Sequence, residues 1–174
     1  RTDALARHAE RGLVLHTVEV DIERSDDAAA GRLARAGVVS VETGPQSIGE
    51  AALAECRRGF DRERFIAGIE ALKARGISVE CDLIAGLPGD TVTDFLNGLA
   101  FCISLDPGKV QTSTLHVLPG TDLYERAEEL GLAFDPAPPH EIVATATIGF
   151  TDLRRAEARS IYLTRQYAAR LEGV

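Results

Sequence analysis

The sequence predicts an α/β fold, a parallel sheet assembled from successive strand–helix units. Three observations carry this. Strand-like runs recur along the chain with helical segments between them, an order that calls for crossover connections and parallel pairing. Two of the runs, Val38-Val39-Ser40-Val41-Glu42-Thr43-Gly44-Pro45-Gln46-Ser47 and Asp82-Leu83-Ile84-Ala85-Gly86-Leu87-Pro88-Gly89-Asp90-Thr91, end an acidic strand in a glycine turn with a helix start behind it. That is where ligands bind in parallel sheets, outside the carboxyl ends of the strands. Finally, strand alternation puts carboxylates from three neighbouring strands on one face.

The elements follow in order. Leu13 to Val20 reads as the first strand, after which Ser25 or Asp26 caps a helix that closes at Gly37. Val38 to Thr43 is the second strand. Ser47-x-x-Glu50 reads as a capping box opening a short helix, its hydroxyl and carboxylate answering free amides reciprocally. Asp61 starts a firmer helix with Phe65, Ile66, Ile69 and Leu72 on one face, ended by Gly76. The third strand is Ser78 to Ala85, followed by a helix from about Thr91 to Ile103. Val110 to Leu118 is the fourth strand, and Pro119-Gly120-Thr121 turns it into a helix ending at Gly131. Residues 134–140 carry three prolines and read as a linker. Ile142 to Ile148 is expected as an added edge strand. Thr151 or Asp152 then starts a last helix, with Leu153, Ala156, Ile161, Thr164, Tyr167 and Leu171 along one stripe; Tyr162 and Tyr167 fit helix packing.

Composition narrows the function. The 174 residues, 45% of them hydrophobic, suffice for one domain with a real core. The net charge of −8 argues against a nucleic-acid groove, which needs a basic face. No apolar run is long enough to span a bilayer, so no membrane partner is expected. Cys56, Cys81 and Cys102 are widely spaced and form no metal-ligand pattern. Cys81 and Cys102 sit among apolar residues and read as core. An odd, scattered set of cysteines suits a reducing compartment, and a cytoplasmic location is expected. His16 and His116 read as hydrogen-bonded core residues, since no partner has ligand spacing, and His8 and His140 as surface residues. The chain opens on Arg1 rather than methionine, so further chain is expected upstream.

Thr17, Glu19 and Asp21 share one strand face, as do Ser40 with Glu42 and Glu80 with Asp82. A closed eight-stranded barrel fills its lumen with branched apolar side chains; here the inner face is polar. Unpaired buried charge costs roughly several kcal/mol, so arginines, ligand hydroxyls, a cation or water must compensate it. Any one of these carboxylates is equally well read as solvated or paired with a helix arginine. The set, alternating the same way into glycine turns, favours a ligand. Gly44 and Gly86 allow close backbone approach or positive φ, and the helix starts beyond them offer free amides to an anion.

Together, Glu42-Thr43-Gly44-Pro45-Gln46-Ser47, Asp82-Leu83-Ile84-Ala85-Gly86-Leu87-Pro88-Gly89-Asp90-Thr91 and Leu115-His116-Val117-Leu118-Pro119-Gly120-Thr121 resemble the successive strand-end motifs of the radical SAM superfamily. The similarity runs from about Leu13 to Gly131 and looks closest to the cobalamin-binding class and to oxygen-independent coproporphyrinogen oxidases. Pro138-Pro139-His140-Glu141 leans toward the former. The resemblance implies that 1–131 is the later part of a partial TIM barrel and 132–174 a linker, edge strand and C-terminal helical extension. It implies S-adenosylmethionine held against a 4Fe-4S cluster, whose electron cleaves the sulfonium to a 5′-deoxyadenosyl radical; in the cobalamin class cobalt often relays a methyl group instead. By similarity, Glu19 and Gln46 bind the ribose and methionyl part, Asp82 the adenosine end, and Arg58 the methionyl carboxylate. Glu42 and Ser47 belong to the same strand-end motif and are counted with them. Backbone around Ile84 and in the Val117-Leu118 turn reads the adenine edge. The residue types suit this, because carboxylates accept from ribose hydroxyls and guanidinium forks onto carboxylate.

Departures bound the reading. The family's three-cysteine cluster motif is absent from this sequence, as are the strands that carry it and any cobalamin module, so no radical chemistry is expected from this chain alone. Pro45 replaces a usually aliphatic residue, and Arg57 stands where asparagine is frequent, leaving the arginine register open between Arg57 and Arg58. The expected function is the adenosylmethionine-binding portion of a cobalamin-dependent methyltransferase acting on a small-molecule or natural-product substrate. Its expected partners are that substrate, a reductant and the upstream part of the same protein. A cobalamin-free relative, porphyrinogen oxidase-like or methylthiotransferase-like, is the alternative within the family. Outside it stands a non-catalytic or phosphate-binding α/β domain, with an anion at the Gly89 to Thr91 helix start.

Overall fold

A computed structural model describes residues 15–173. Strand β1 (Leu15–Glu19) leads through a 3-10 turn, Ile22–Arg24, into α1 (Asp27–Arg35). Strand β2 (Val38–Gln46) is followed by α2 (Glu50–Glu55) and α3 (Arg62–Lys73), then β3 (Ser78–Ala85), α4 (Val92–Ser104) and β4 (Lys109–Thr114). A single turn of helix, α5 (Asp122–Glu125), precedes the short strands β5 (Ala133–Phe134) and β6 (Ile142–Ala144) and the long α6 (Phe150–Glu172). The four main strands pair in sequence order, all parallel, the expected α/β architecture.

Local chemistry sets the helix starts. The Asp26 carboxylate accepts from Ala29 N at 2.7 Å, that of Asp61 from Arg64 N at 3.1 Å, and the Thr91 hydroxyl from Asp94 N at 3.1 Å, each satisfying an amide that the first helical turn leaves free. On the helix-covered side of the sheet, Val41, Val79, Cys81 and Leu83 are buried with Phe65, Ile69, Leu72, Phe95, Leu99 and Cys102. The opposite side, carrying Glu42, Glu80, Asp82 and Ile84, is only partly buried. The 3-10 turn is pinned over the sheet by Ile22, which lies so close to α3 that a Cβ on Gly68 would sit 2.4 Å from the Ile22 carbonyl oxygen. No helix among the described residues is long and apolar enough to cross a membrane.

Several expectations are corrected. Strand β2 runs on to Gln46, with a register shift between Thr43 and Gln46. No capping box forms: Gly49 is the N-cap of α2 with no side-chain cap bond, and the Ser47 hydroxyl accepts from Gly49 N at 2.9 Å instead. Ile66 is exposed while Gly68 fills its place on the buried face of α3. Strand β4 ends at Thr114, because Ile142 N bonds to Leu115 O and His116 bridges to Glu141, drawing the chain out of the sheet. The helix expected up to Gly131 is one turn long. The expected edge strand is β6, which pairs antiparallel with β5 in a separate ribbon, and Ala133–Phe134 takes part of the expected linker. Helix α6 starts at Phe150 behind Gly149, not at Thr151 or Asp152, and buries Leu153, Ala156, Ser160 and Tyr167 while Ile161, Tyr162 and Leu171 stay exposed. His116 is exposed and His140 half-buried, the reverse of expectation. His8 and the side chain of His16 lie outside the described residues, as does the start of the first predicted strand.

Candidate functional site

The pairing register builds the site. Glu19 lies opposite Glu42, Glu42 opposite Glu80, and Glu80 opposite Lys109, so three carboxylates and one ammonium form a row across the sheet. Asp82 stands one inward-facing position further along β3, opposite Gln111. The row is unevenly satisfied. Lys109 Nζ is 2.9 Å from Glu80 Oε2, and the Ser40 hydroxyl donates to Glu80 Oε1 at 3.3 Å. Asp82 Oδ1, by contrast, is buried with no hydrogen-bond partner. Burial pushes the Asp82 carboxyl up to about 7, helped by its hydrogen bond and charge contact with Glu42 and by the charge of Glu80, with Lys109 opposing. Buried polar atoms in native folds are nearly all hydrogen-bonded, which sets Asp82 Oδ1 apart.

Beside this row opens a cavity of about 320 Å³ lined by Glu19, Asp21, Glu23 and Asp82 on its acidic side, Gln46 and Arg58 on its other polar side, Val20, Ile22 and Phe65 as apolar floor, and backbone at Thr43 and Gly44. Its volume falls in the range of about 300–1,000 Å³ typical of small-molecule clefts. A groove lined by Phe60 and Asp61 continues from it, sharing Asp21, Glu23 and Arg58.

Each lining residue is positioned by a local device. A Cβ on Gly44 would fall 2.1 Å from the Asp82 carbonyl oxygen, so only glycine lets β2 pass β3 this closely. Pairing resumes at Gln46 opposite Leu83, and Gln46 takes φ 64. Arg58 owes its direction to the end of α2. Arg57 adopts φ 51, its N–H donates to Ala54 O at 3.0 Å, and Arg58 N donates to Leu53 O at 2.8 Å, the paired bonds of a left-handed helix terminus. Arg57 turns out to Asp122 at 3.2 Å, whereas Arg58 lines the cavity without an ion pair among the described residues.

Of the residues singled out in the sequence, Glu19, Gln46, Arg58 and Asp82 therefore meet at one cavity. Glu42, half-buried opposite Glu80, does not line it. Ser47 is buried at 1% exposure in its turn, Ile84 shares the Asp82 face but does not line the cavity, and neither does Leu118, which is 49% exposed. Sequence reasoning missed Glu23 and the Ile22–Phe65 floor, which come together only when the 3-10 turn docks on α3. It also missed Asp90, fully buried with neither carboxylate oxygen hydrogen-bonded. Burial pushes Asp90 up to about 6, with the nearby Ser47 hydroxyl pulling it down and the Asp94 charge raising it. The signal was present: Thr91 is the helix cap, which leaves Asp90 no capping role. No group of three or more His, Cys, Asp or Glu suited to a metal ion exists among the described residues.

The radical SAM superfamily profile matches residues 1–102. A tRNA-2-methylthio-N(6)-dimethylallyladenosine synthase from Chloroflexus aurantiacus is 32% identical over 87 residues, which cover 49% of this chain and 19% of that protein. Among solved structures, coproporphyrinogen III oxidase (HemN) from Escherichia coli superposes with a TM-score of 0.67 at 20% identity, over 95% of this chain and 36% of that one. The radical S-adenosylmethionine methyltransferase TsrM from Kitasatospora setae, with cobalamin and a [4Fe-4S] cluster bound, gives 0.67 at 20% identity over 89% and 34%. This chain thus spans about a fifth of the curated relative and a third of the structural ones. With more than half its length matched by the family profile, the chain belongs to the radical SAM superfamily, and it shares its fold with these solved structures.

Proposed function

We propose that this chain is the S-adenosylmethionine-binding portion of a cobalamin-dependent radical SAM methyltransferase acting on a small-molecule or natural-product substrate. The observation that carries the adenosylmethionine part is the convergence of Glu19, Gln46, Arg58 and Asp82 on one cavity, with Asp82 Oδ1 buried and bare. These residues fit the ligand. Asp82 accepts from ribose hydroxyls, Arg58 forks onto the methionyl carboxylate, and Glu19 with Gln46 meets the ribose and methionyl part. The acidic side favours a sulfonium, and the Ile22–Phe65 floor shields that end from water. When bound, adenosylmethionine supplies a sulfonium open to reductive cleavage by an electron from the 4Fe-4S cluster. The three cysteines of this sequence lack the family's cluster spacing, so the reading assigns the cluster ligands, and the cobalamin module, to other parts of the protein.

The methyltransferase subclass draws support from the likeness to TsrM. A cobalamin-free reading has the Chloroflexus relative, a tRNA methylthio synthase, in its favour. The net charge of −8 weighs against a tRNA substrate bound by this portion, since phosphate contacts need a basic face. Anaerobic reconstitution of the full-length protein tests both. Cluster absorbance, bound corrin and methyl transfer from adenosylmethionine are expected. Cluster absorbance without corrin overturns the cobalamin assignment in favour of the second reading, and absence of the cluster overturns both.

A further inference from the structure

Glu23 lines the cavity and also reaches beyond the turn that carries it. Its Oε2 accepts from the backbone N–H of Asp61 at 2.9 Å, a bond between residues 38 apart in sequence. Asp61 is the N-cap of α3, its own carboxylate taken by Arg64 N. The bond therefore fastens the 3-10 turn after β1 to the chain just before that helix. The turn is a firm anchor, since Ile22 leaves no room for a Cβ on Gly68 of α3. Upstream, Arg58 N donates to Leu53 O at 2.8 Å at the end of α2, so the short stretch from Arg58 to Asp61 is held at both ends. Its middle is loosely packed. A Cβ on Gly59 would have nothing within 4 Å, and Phe60 is placed by its edge-on contact with Phe65, ring centroids 5.4 Å apart. Glu23 and Arg58 line the same cavity, yet Arg58 makes no ion pair among the described residues. The carboxylate is directed at the Asp61 amide, and the guanidinium is left to a ligand.

We infer that Glu23 is a positioning residue for Arg58: its bond to the Asp61 amide ties the Arg58–Asp61 segment to the end of β1 and so presents the guanidinium to the methionyl carboxylate of S-adenosylmethionine. The inference rests on the adenosylmethionine reading above. An arginine on an exposed loop must lose backbone and side-chain freedom to fork onto a carboxylate, and a loop ordered beforehand raises affinity without a new contact to the ligand. A bond from a carboxylate to a backbone amide acts only at contact distance. It depends on the length of the side chain and on an acceptor oxygen, not on a charge felt across the cavity. Two conservative substitutions separate these. Glu23→Asp keeps the charge and falls short of the Asp61 amide, whereas Glu23→Gln keeps the reach and the acceptor and removes the charge.

The test is calorimetric titration of the full-length, cluster-loaded enzyme with S-adenosylmethionine, for Glu23→Asp, Glu23→Gln, Arg58→Ala and the double variant Glu23→Asp/Arg58→Ala. Glu23→Asp should weaken binding about fivefold, and Glu23→Gln less than about twofold. With Arg58 already removed, Glu23→Asp should cost no further affinity, a coupling that general loosening of the fold would not produce. A loss in Glu23→Gln as large as or larger than that in Glu23→Asp makes Glu23 a charge facing the ligand and overturns the inference. Unchanged binding in Glu23→Asp, or additive losses in the double variant, overturn it too. Each of these leaves the adenosylmethionine reading standing, whereas no adenosylmethionine binding by the wild-type enzyme overturns the inference together with that reading.

Discussion

The Gly44–Gln46 end of β2 and the turn after β3 both combine glycine with proline, yet one faces the cavity and the other is enclosed by protein. At the first, Gly44 lies against the Asp82 backbone and Gln46, at φ 64, turns toward the cavity. At the second, Gly86, with φ 84, packs under Ile142 of β6 and Leu153 of α6, Gly89 lies against Ala51 of α2, and Leu87, Pro88 and Asp90 are all buried. The first segment lines the cavity; the second holds the C-terminal segment onto the sheet. Similar turn chemistry thus takes its role from whatever the neighbouring elements bring against it.

The largest effect that tests this contrast is at the glycines. In Gly44→Ala the new Cβ meets immovable backbone, the Asp82 carbonyl oxygen at 2.1 Å, and a loss of about 4 kcal/mol or more is expected, or no folded protein. In Gly86→Ala the contact is the end of a side chain, Ile142 Cγ2 at 2.7 Å, so the loss is limited to about 1–3 kcal/mol of repacking and positive-φ strain. Guanidinium unfolding of the two variants measures the gap, and equal losses would break the distinction.

Asp90→Asn comes next. A carboxyl whose folded pKa is raised leaves stability intact below the unfolded value of about 4. Stability is then lost as pH climbs through the folded value of about 6. The asparagine variant should therefore gain up to about 3 kcal/mol over wild type at pH 8 and less than about 1 kcal/mol at pH 4. Urea midpoints across that range check this; a destabilised variant at pH 8 would mean that the fold holds Asp90 in its ionised form. Smaller still is the arginine pair. Arg58→Ala should weaken adenosylmethionine binding by about tenfold with little change in stability. Arg57→Ala should leave binding untouched and shift stability by no more than about 1 kcal/mol, its ion pair with Asp122 being largely exposed. Reversal of that order would return the arginine register to Arg57.

Legibility followed the range of the interaction. Asp26, Asp61 and Thr91 cap their helices through amides three residues away, so their roles were readable from neighbours in the chain. Glu19, Gln46 and Asp82 were readable as a set because strand alternation is also local. Ser47 was misjudged because Gly49, not Glu50, answers its hydroxyl, and Ile161 and Leu171 because which side of α6 meets β4 and α4 depends on elements far away in sequence.

By itself the sequence determined the order of strands and helices, their parallel pairing, and which side chains of each strand share a face, since all three follow from propensity and period-two geometry. Tertiary structure decided the rest: that Asp82 lines the cavity and Glu42 does not, that Arg58 rather than Arg57 reaches it, and that Asp90 is sealed in the fold. The physical reason is that burial and partner charge are properties of neighbours brought together by packing, and register, docking angle and close backbone approach fix those neighbours only once the whole sheet is assembled.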